Sequence, residues 1–152
     1  MREAFGQYGH RGLPLRVARL NKGAAVIKLT FCLHRLPDLS RAEFQTYWRD
    51  THAPLVASHA ATLNIRRYVQ THALSHKADQ AVAGPRGAPQ AYDGIAELWF
   101  DSWDSFFAAG QNPGADLASQ ALIEDERKFI DLARSPLWFN QEHVILGELQ
   151  TL

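Results

Sequence analysis

The residue pattern predicts an α+β protein of the ferredoxin-like class: strand, helix, strand, strand, helix, strand, with a four-stranded antiparallel sheet. Three observations carry this. Residues 26–34 alternate, with Ile27, Leu29, Phe31 and Leu33 on one side and Lys28, Thr30, Cys32 and His34 on the other. Ser40 and Glu43 then have the Ser-x-x-Glu spacing of a capping box. Phe44, Tyr47, Trp48, Thr51, His52 and Leu55 follow at steps of three and four, which places them on one helix face.

The remaining elements follow in order. Pro54 has no N–H to give the carbonyl of Asp50, so the first helix bends or restarts there. Residues 65–74, with Tyr68, Val69 and Thr71, read as the second strand. Residues 75–90 are rich in Ala, Gly, Pro and charge and read as a flexible insertion. Residues 92–101 form the third strand. Ser102 caps a short helix through Trp103, Phe106 and Phe107, which Asn112-Pro113-Gly114 breaks. Leu117, Ala121, Leu122, Asp125, Phe129 and Leu132 repeat at helical spacing, Ser135-Pro136 stops them, and residues 137–146 read as the last strand. One sheet face stays uncovered and carries Ile95, Glu97 and Trp99. A second copy of the chain placed there would bury it, giving a homodimer through the sheet face.

Composition narrows the function classes. At 152 residues, 46% of them apolar, the chain fits one domain with a real core. We expect a single domain over 23–148, preceded by a basic extension over 1–22. There Arg2, Arg11, Arg16, Arg19 and Lys22 face Glu3 alone, so the segment is expected to be disordered or bound to a partner. The formal net charge is zero and the main part of the chain has no basic excess, which argues against nucleic acid. No apolar run approaches the roughly 18–20 residues of a membrane span. One cysteine, Cys32, excludes an intrachain disulfide and fits a reducing, cytoplasmic setting. No two histidines share the spacing of a helical zinc motif, and there is no Gly-x-Gly-x-x-Gly, phosphate loop or nucleophile elbow. Neither a metal nor a cofactor is expected.

The candidate chemistry centres on His52, an imidazole on an aromatic stripe beside a kink. It is either an acid–base group or a core histidine bonded to backbone. Glu97, a carboxylate in mid-strand, needs a partner; it either orients an imidazole or pairs with Arg49, Arg66 or Lys28. Tyr47, Trp48, Tyr68 and Trp99 are candidate walls of a pocket for a flat apolar or aromatic ligand, and His34, His72 and His143 lie on strands within reach of such a cavity.

The block Phe44-x-x-Tyr47-Trp48-Arg49-Asp50-Thr51-His52-Ala53-Pro54-Leu55 resembles the signature of the EthD family, as does Tyr92-Asp93-Gly94-Ile95-Ala96-Glu97-Leu98-Trp99-Phe100. Glu124-Asp125-Glu126-x-x-Phe129-Ile130-Asp131 and Glu142-His143 resemble its later blocks, so the likeness runs over roughly residues 25–146. It implies a dimeric α+β barrel, in a superfamily that includes isomerases, cyclases, cofactor-free monooxygenases and haem peroxidases. The expected function is a cofactor-independent enzyme moving a proton on a small cyclic or aromatic metabolite (isomerase, dehydratase or cyclase type). The alternatives are a non-catalytic binding or accessory protein of an oxidative pathway, and a cofactor-free monooxygenase. Fold alone does not choose among them.

Overall fold

A computed structural model describes residues 25–147. The expected basic extension over 1–22 lies outside the described residues. The strands are β1 (Ile27–Leu33), β2 (Arg67–His72), β3 (Gly94–Phe100) and β4 (Leu137–Asn140). All pairings are antiparallel, in the order β2-β3-β1-β4. This is the ferredoxin-like arrangement expected. Between β1 and β2 run α1 (Arg41–Tyr47), a π-helical turn (Trp48–His52) and α2 (Ala53–His59). Between β3 and β4 run α4 (Trp103–Ala109) and α5 (Ala115–Glu126). Another short helix, α3 (Ala78–Ala83), lies between β2 and β3.

The first helix starts as its capping box requires. Ser40 Oγ accepts from the Glu43 N–H at 3.2 Å, and Glu43 accepts from the Ser40 N–H at 2.8 Å. The kink expected at Pro54 is resolved as the π turn, in which the Ala53 N–H donates to the Trp48 carbonyl. That widened turn changes which residues face inward. Steps of four overshoot an α-helical turn of 3.6 residues, and the extra residue of a π turn cancels the drift. Phe44, Trp48, His52 and Val56 are therefore all buried. Thr51, expected on the same stripe, is exposed, and Leu55 is only half-buried.

The core joins Leu33 of β1, Ala96 of β3, Phe44 and Trp48 of the first helical unit, and Phe129 and Ile130 after α5. Gly94 lets the helix approach the sheet. A Cβ there would stand 2.5 Å from Trp48 Cζ3 and 2.8 Å from the Thr71 carbonyl oxygen. Buried Asp93 ties the start of β3 to the end of β1 by accepting the Arg35 N–H at 3.0 Å and pairing with the Arg35 guanidinium.

Four expectations are corrected. The segment 75–90 is not an unstructured run: α3 and a 3₁₀ turn (Gly84–Arg86) occupy its middle. Asp79 accepts the His76 N–H and His76 Nδ1 accepts the Ala78 N–H, so local capping organises it although α3 buries none of its own residues. In α5 the inward positions are Ala115, Ala118 and Asp125, whereas Leu117 is 72% exposed. The last strand ends at Asn140, because its ladder with β1 closes at the pair Lys28–Asn140. The chain beyond folds across the open sheet face, so Trp99 is not exposed there. Glu142 accepts its indole N–H at 3.1 Å, and the Arg67 guanidinium lies 4.6 Å from its ring.

Gly94→Ala should lower unfolding stability by about 1–3 kcal/mol, the usual cost of overpacking a filled core. Urea denaturation of the two proteins checks this; equal midpoints would mean that Trp48 does not seat against β3 as described.

Candidate active site

The π turn and the end of α5 meet at a buried, hydrogen-bonded histidine–aspartate pair. His52, 4% exposed, places Nδ1 2.8 Å from Asp125 Oδ2. Asp125 Oδ1 accepts from Tyr47 Oη at 2.7 Å and from Lys128 Nζ at 3.0 Å. The imidazole also packs on Phe129, with ring centroids 5.0 Å apart. Burial pushes the His52 pKa below its ordinary value despite the opposing pull of Asp125. Burial alone would raise the Asp125 carboxyl, but the hydrogen bonds from Tyr47, His52 and Lys128 outweigh it and hold the carboxyl low. At neutral pH this is a carboxylate facing a neutral imidazole. Nδ1 carries the proton and Nε2 keeps its lone pair. Nε2 has no hydrogen-bond partner among the described residues.

A second network lies on the same side of the sheet. Tyr68 Oη accepts from Trp48 Nε1 at 3.0 Å and from Gln70 Nε2 at 2.8 Å. Gln70 Nε2 also donates to the Trp48 carbonyl at 2.9 Å. Gln70 Oε1 lies 2.9 Å from His72 Nε2, and Trp48 stacks on His72 with centroids 4.5 Å apart. Burial raises the Tyr68 phenol, against the hydrogen bonds from Gln70 and Trp48; the nearby Glu126 charge adds to the rise.

Between the sheet and α4/α5 opens a cavity of about 610 Å³. Leu29, Phe31, Leu98 and Phe100 form its floor, and Phe106 and Leu122 are among its helix-side walls. Two carboxylates border it: Asp116, which is exposed, and Glu126, which is half-buried. Burial, reinforced by the charge of Asp125, raises the Glu126 pKa to about 7. A carboxyl group that is half protonated at neutral pH in an apolar cavity has the character of an acid–base catalyst.

The structure thus redistributes the residues expected at one site. His52, Tyr47, Trp48, Tyr68 and His72 lie in the two networks, but none of them borders the cavity. Glu97, expected to orient an imidazole, points to the opposite sheet face and pairs with Lys28 at 2.7 Å, the structural alternative weighed for it. Strand alternation enforces this, since Glu97 and Trp99 share a face that Ala96 and Leu98 do not. Trp99 and His143 border a separate, polar groove of about 680 Å³ on that face, with Lys28, Arg67 and Glu142. His34 packs at a tilt against Tyr92, with ring centroids 4.7 Å apart. Asp125 and Glu126 were missed. The available signal was a carboxylate at position 125 on an otherwise apolar helical stripe. Among the described residues no group of three or more His, Cys, Asp or Glu is placed to hold a metal ion.

A helix-covered antiparallel sheet with an apolar cavity and a buried acid–base pair defines a small α+β protein of the ferredoxin-like class. The family model for the EthD domain matches residues 36–133, and the chain belongs to the EthD family. Three of the four resembling blocks fall within that span. The chain is similar to the crystal structure of an EthD family protein from Bacillus halodurans (TM-score 0.53, 19% identity, 78% of this chain and 99% of that one). It is similar to an EthD-like protein from Ralstonia eutropha (TM-score 0.55, 19% identity, 82% and 97%). A dimeric protein of unknown function with a ferredoxin-like fold, from Bacteroides fragilis, aligns with TM-score 0.50 at 9% identity, over 79% and 99%. At these identities the likeness shows the fold. No curated protein matches the chain.

Glu126 is protonated more readily when folded than when unfolded, so its contribution to stability is fully present below the unfolded value and is lost as pH rises through about 7. Glu126→Gln should therefore be more stable than the wild type at about pH 8, on the order of 1–2 kcal/mol after discounting for partial exposure, and no more stable at about pH 4. Denaturant titrations at both pH values check this. A constant difference between the two proteins would contradict a shifted carboxyl.

Proposed function

We propose that the chain binds a small, neutral cyclic or aromatic molecule in the helix-side cavity and moves a proton on it without a bound cofactor, as an isomerase, dehydratase or cyclase does. The supporting observation is Glu126, a carboxyl with a pKa of about 7 at the wall of an otherwise largely apolar cavity. As an acid it donates to a carbonyl or departing hydroxyl oxygen; as a carboxylate it takes a proton from a neighbouring carbon. In this reading Glu126 fills the acid–base role that residue spacing suggests for His52. His52 and Tyr47 then act through Asp125: they fix the last turn of α5 and keep Asp125 ionised, and that charge helps hold the Glu126 proton. The buried Cys32 agrees with a reducing, cytoplasmic setting.

A second reading, a non-catalytic ligand-binding protein, is favoured by one observation: His52 is locked by Asp125 and does not border the cavity. Deuterium exchange separates the two. The wild type should accelerate exchange of the α-hydrogens of β-tetralone in D₂O, followed by proton NMR, and Glu126→Gln should slow it by about 10²–10⁴-fold. Binding without accelerated exchange would support the carrier reading; no binding at all would remove both.

The partner proposed for the open sheet face is a second copy of the chain. Trp138, 45% exposed, stands on that face at the edge strand β4, opposite Thr30 of β1. Light scattering should return a dimer at micromolar concentration, and Trp138→Glu should shift it toward monomer. A wild-type monomer under those conditions would refute the proposal.

A further inference from the structure

The helix-side cavity holds no counter-charge for an anion. Among the described residues that line it, Asp116 and Glu126 are the charged ones, and none is Lys, Arg or His. Its two hydroxyls do not make up the lack. Ser119 is exposed. Ser135 Oγ is already engaged, accepting the His34 N–H at 2.9 Å and donating to the Asp131 carbonyl at 2.7 Å. The two carboxylates stand toward opposite ends of α5 (Ala115–Glu126), about 15 Å apart along its axis. Asp116 occupies the first turn, where the helix dipole would otherwise draw an anion, and Glu126 the last, where the dipole is itself negative. The sheet cations Lys28 and Arg67 border the polar groove on the opposite face. An anion in the cavity therefore leaves water, gains no cation and meets like charge toward either end.

We propose that Glu126 sets the charge specificity of this cavity, refusing an anionic ligand unless it is itself protonated, so that the substrate class is cyclic or aromatic molecules bearing no carboxylate or phosphate. Asp116 is exposed, so water screens it, and the larger share falls to half-buried Glu126. Other groups act on Glu126 from each side. Asp125, beside it on α5, favours its proton, and the phenol of Tyr68 on β2 feels its charge. Tyr47 and His52 of the first helical unit and Lys128 after α5 meet Asp125 instead. With a pKa of about 7, Glu126 passes from roughly nine-tenths protonated at about pH 6 to roughly one-tenth at about pH 8. An anion that enters at the higher pH must bring a proton from solvent to Glu126.

This inference rests on the cavity reading above, and a matched pair of probes separates the two. Tetralin, uncharged, reports occupancy of the cavity, and 1,2,3,4-tetrahydro-2-naphthoate adds a carboxylate to the same rings. That carboxylate stays ionised throughout, since an ordinary aliphatic carboxyl titrates at about 4.3. Calorimetric titration should show the ratio of tetralin to carboxylate affinity rising about tenfold from about pH 6 to about pH 8 in the wild type. In Glu126→Gln the ratio should stay level. A level ratio in the wild type, or the same rise in Glu126→Gln, overturns the assignment to Glu126 and leaves the cavity standing. So does a Glu126→Gln protein that binds tetralin but not the carboxylate at either pH, because the apolar walls alone then refuse the charge. Failure of the wild type to bind tetralin removes the cavity reading and this proposal together.

Discussion

Much of the structure depends on how Trp48 is seated. Its ring lies against the Cβ-free face of Gly94, which brings the first helical unit close enough to the sheet for the core to close. Its carbonyl, widened out of α-helical geometry by the π turn, accepts from both the Ala53 N–H and Gln70. Its indole N–H holds Tyr68, and its ring stacks on His72. One residue thus sets the depth of the helix and the direction of the β2 polar network. Pro54 is the local cause: without its N–H the helix needs another hydrogen-bond pattern, and the π turn supplies it.

Two neighbouring carboxylates, Asp125 and Glu126, show how placement divides chemically similar groups. Asp125 is the more buried of the two, yet three hydrogen-bond donors keep it charged. Glu126 faces largely apolar walls beside that fixed charge and holds its proton to about pH 7. Burial acts on both in the same sense; satisfaction by donors decides the outcome. The expensive buried charge at Asp125 is therefore tied to the reactivity proposed for Glu126, because one raises the proton affinity of the other.

The sheet separates two chemical environments. On the helix side Leu29, Phe31, Leu98 and Phe100 make an apolar floor. On the opposite side Lys28, Glu97 and Glu142 satisfy one another around Trp99. Such charge pairs are specific in direction and add little net stability, so they serve register and recognition more than cohesion.

The strand order and both helical units were legible in the sequence because alternation, the Ser40–Glu43 capping box and the Pro and Gly breaks are local signals. So was the helical kink beside His52, from Pro54. The partner of that histidine was not legible. Asp125 lies 73 positions away and meets it only once α5 packs on the π turn. The separation of Glu97 from His52 is the reverse case: both looked functional, and strand alternation put Glu97 on the opposite sheet face. The exposed Trp99 failed for a related reason, since the chain beyond β4 folds back over it. Sequence by itself determined the four strands, the two main helical units and which sheet faces are apolar, because those follow from neighbours a few residues apart. Only the tertiary structure decided which carboxylate is charged, which is protonated and which space is left open, because desolvation and hydrogen bonding depend on groups that folding alone brings together.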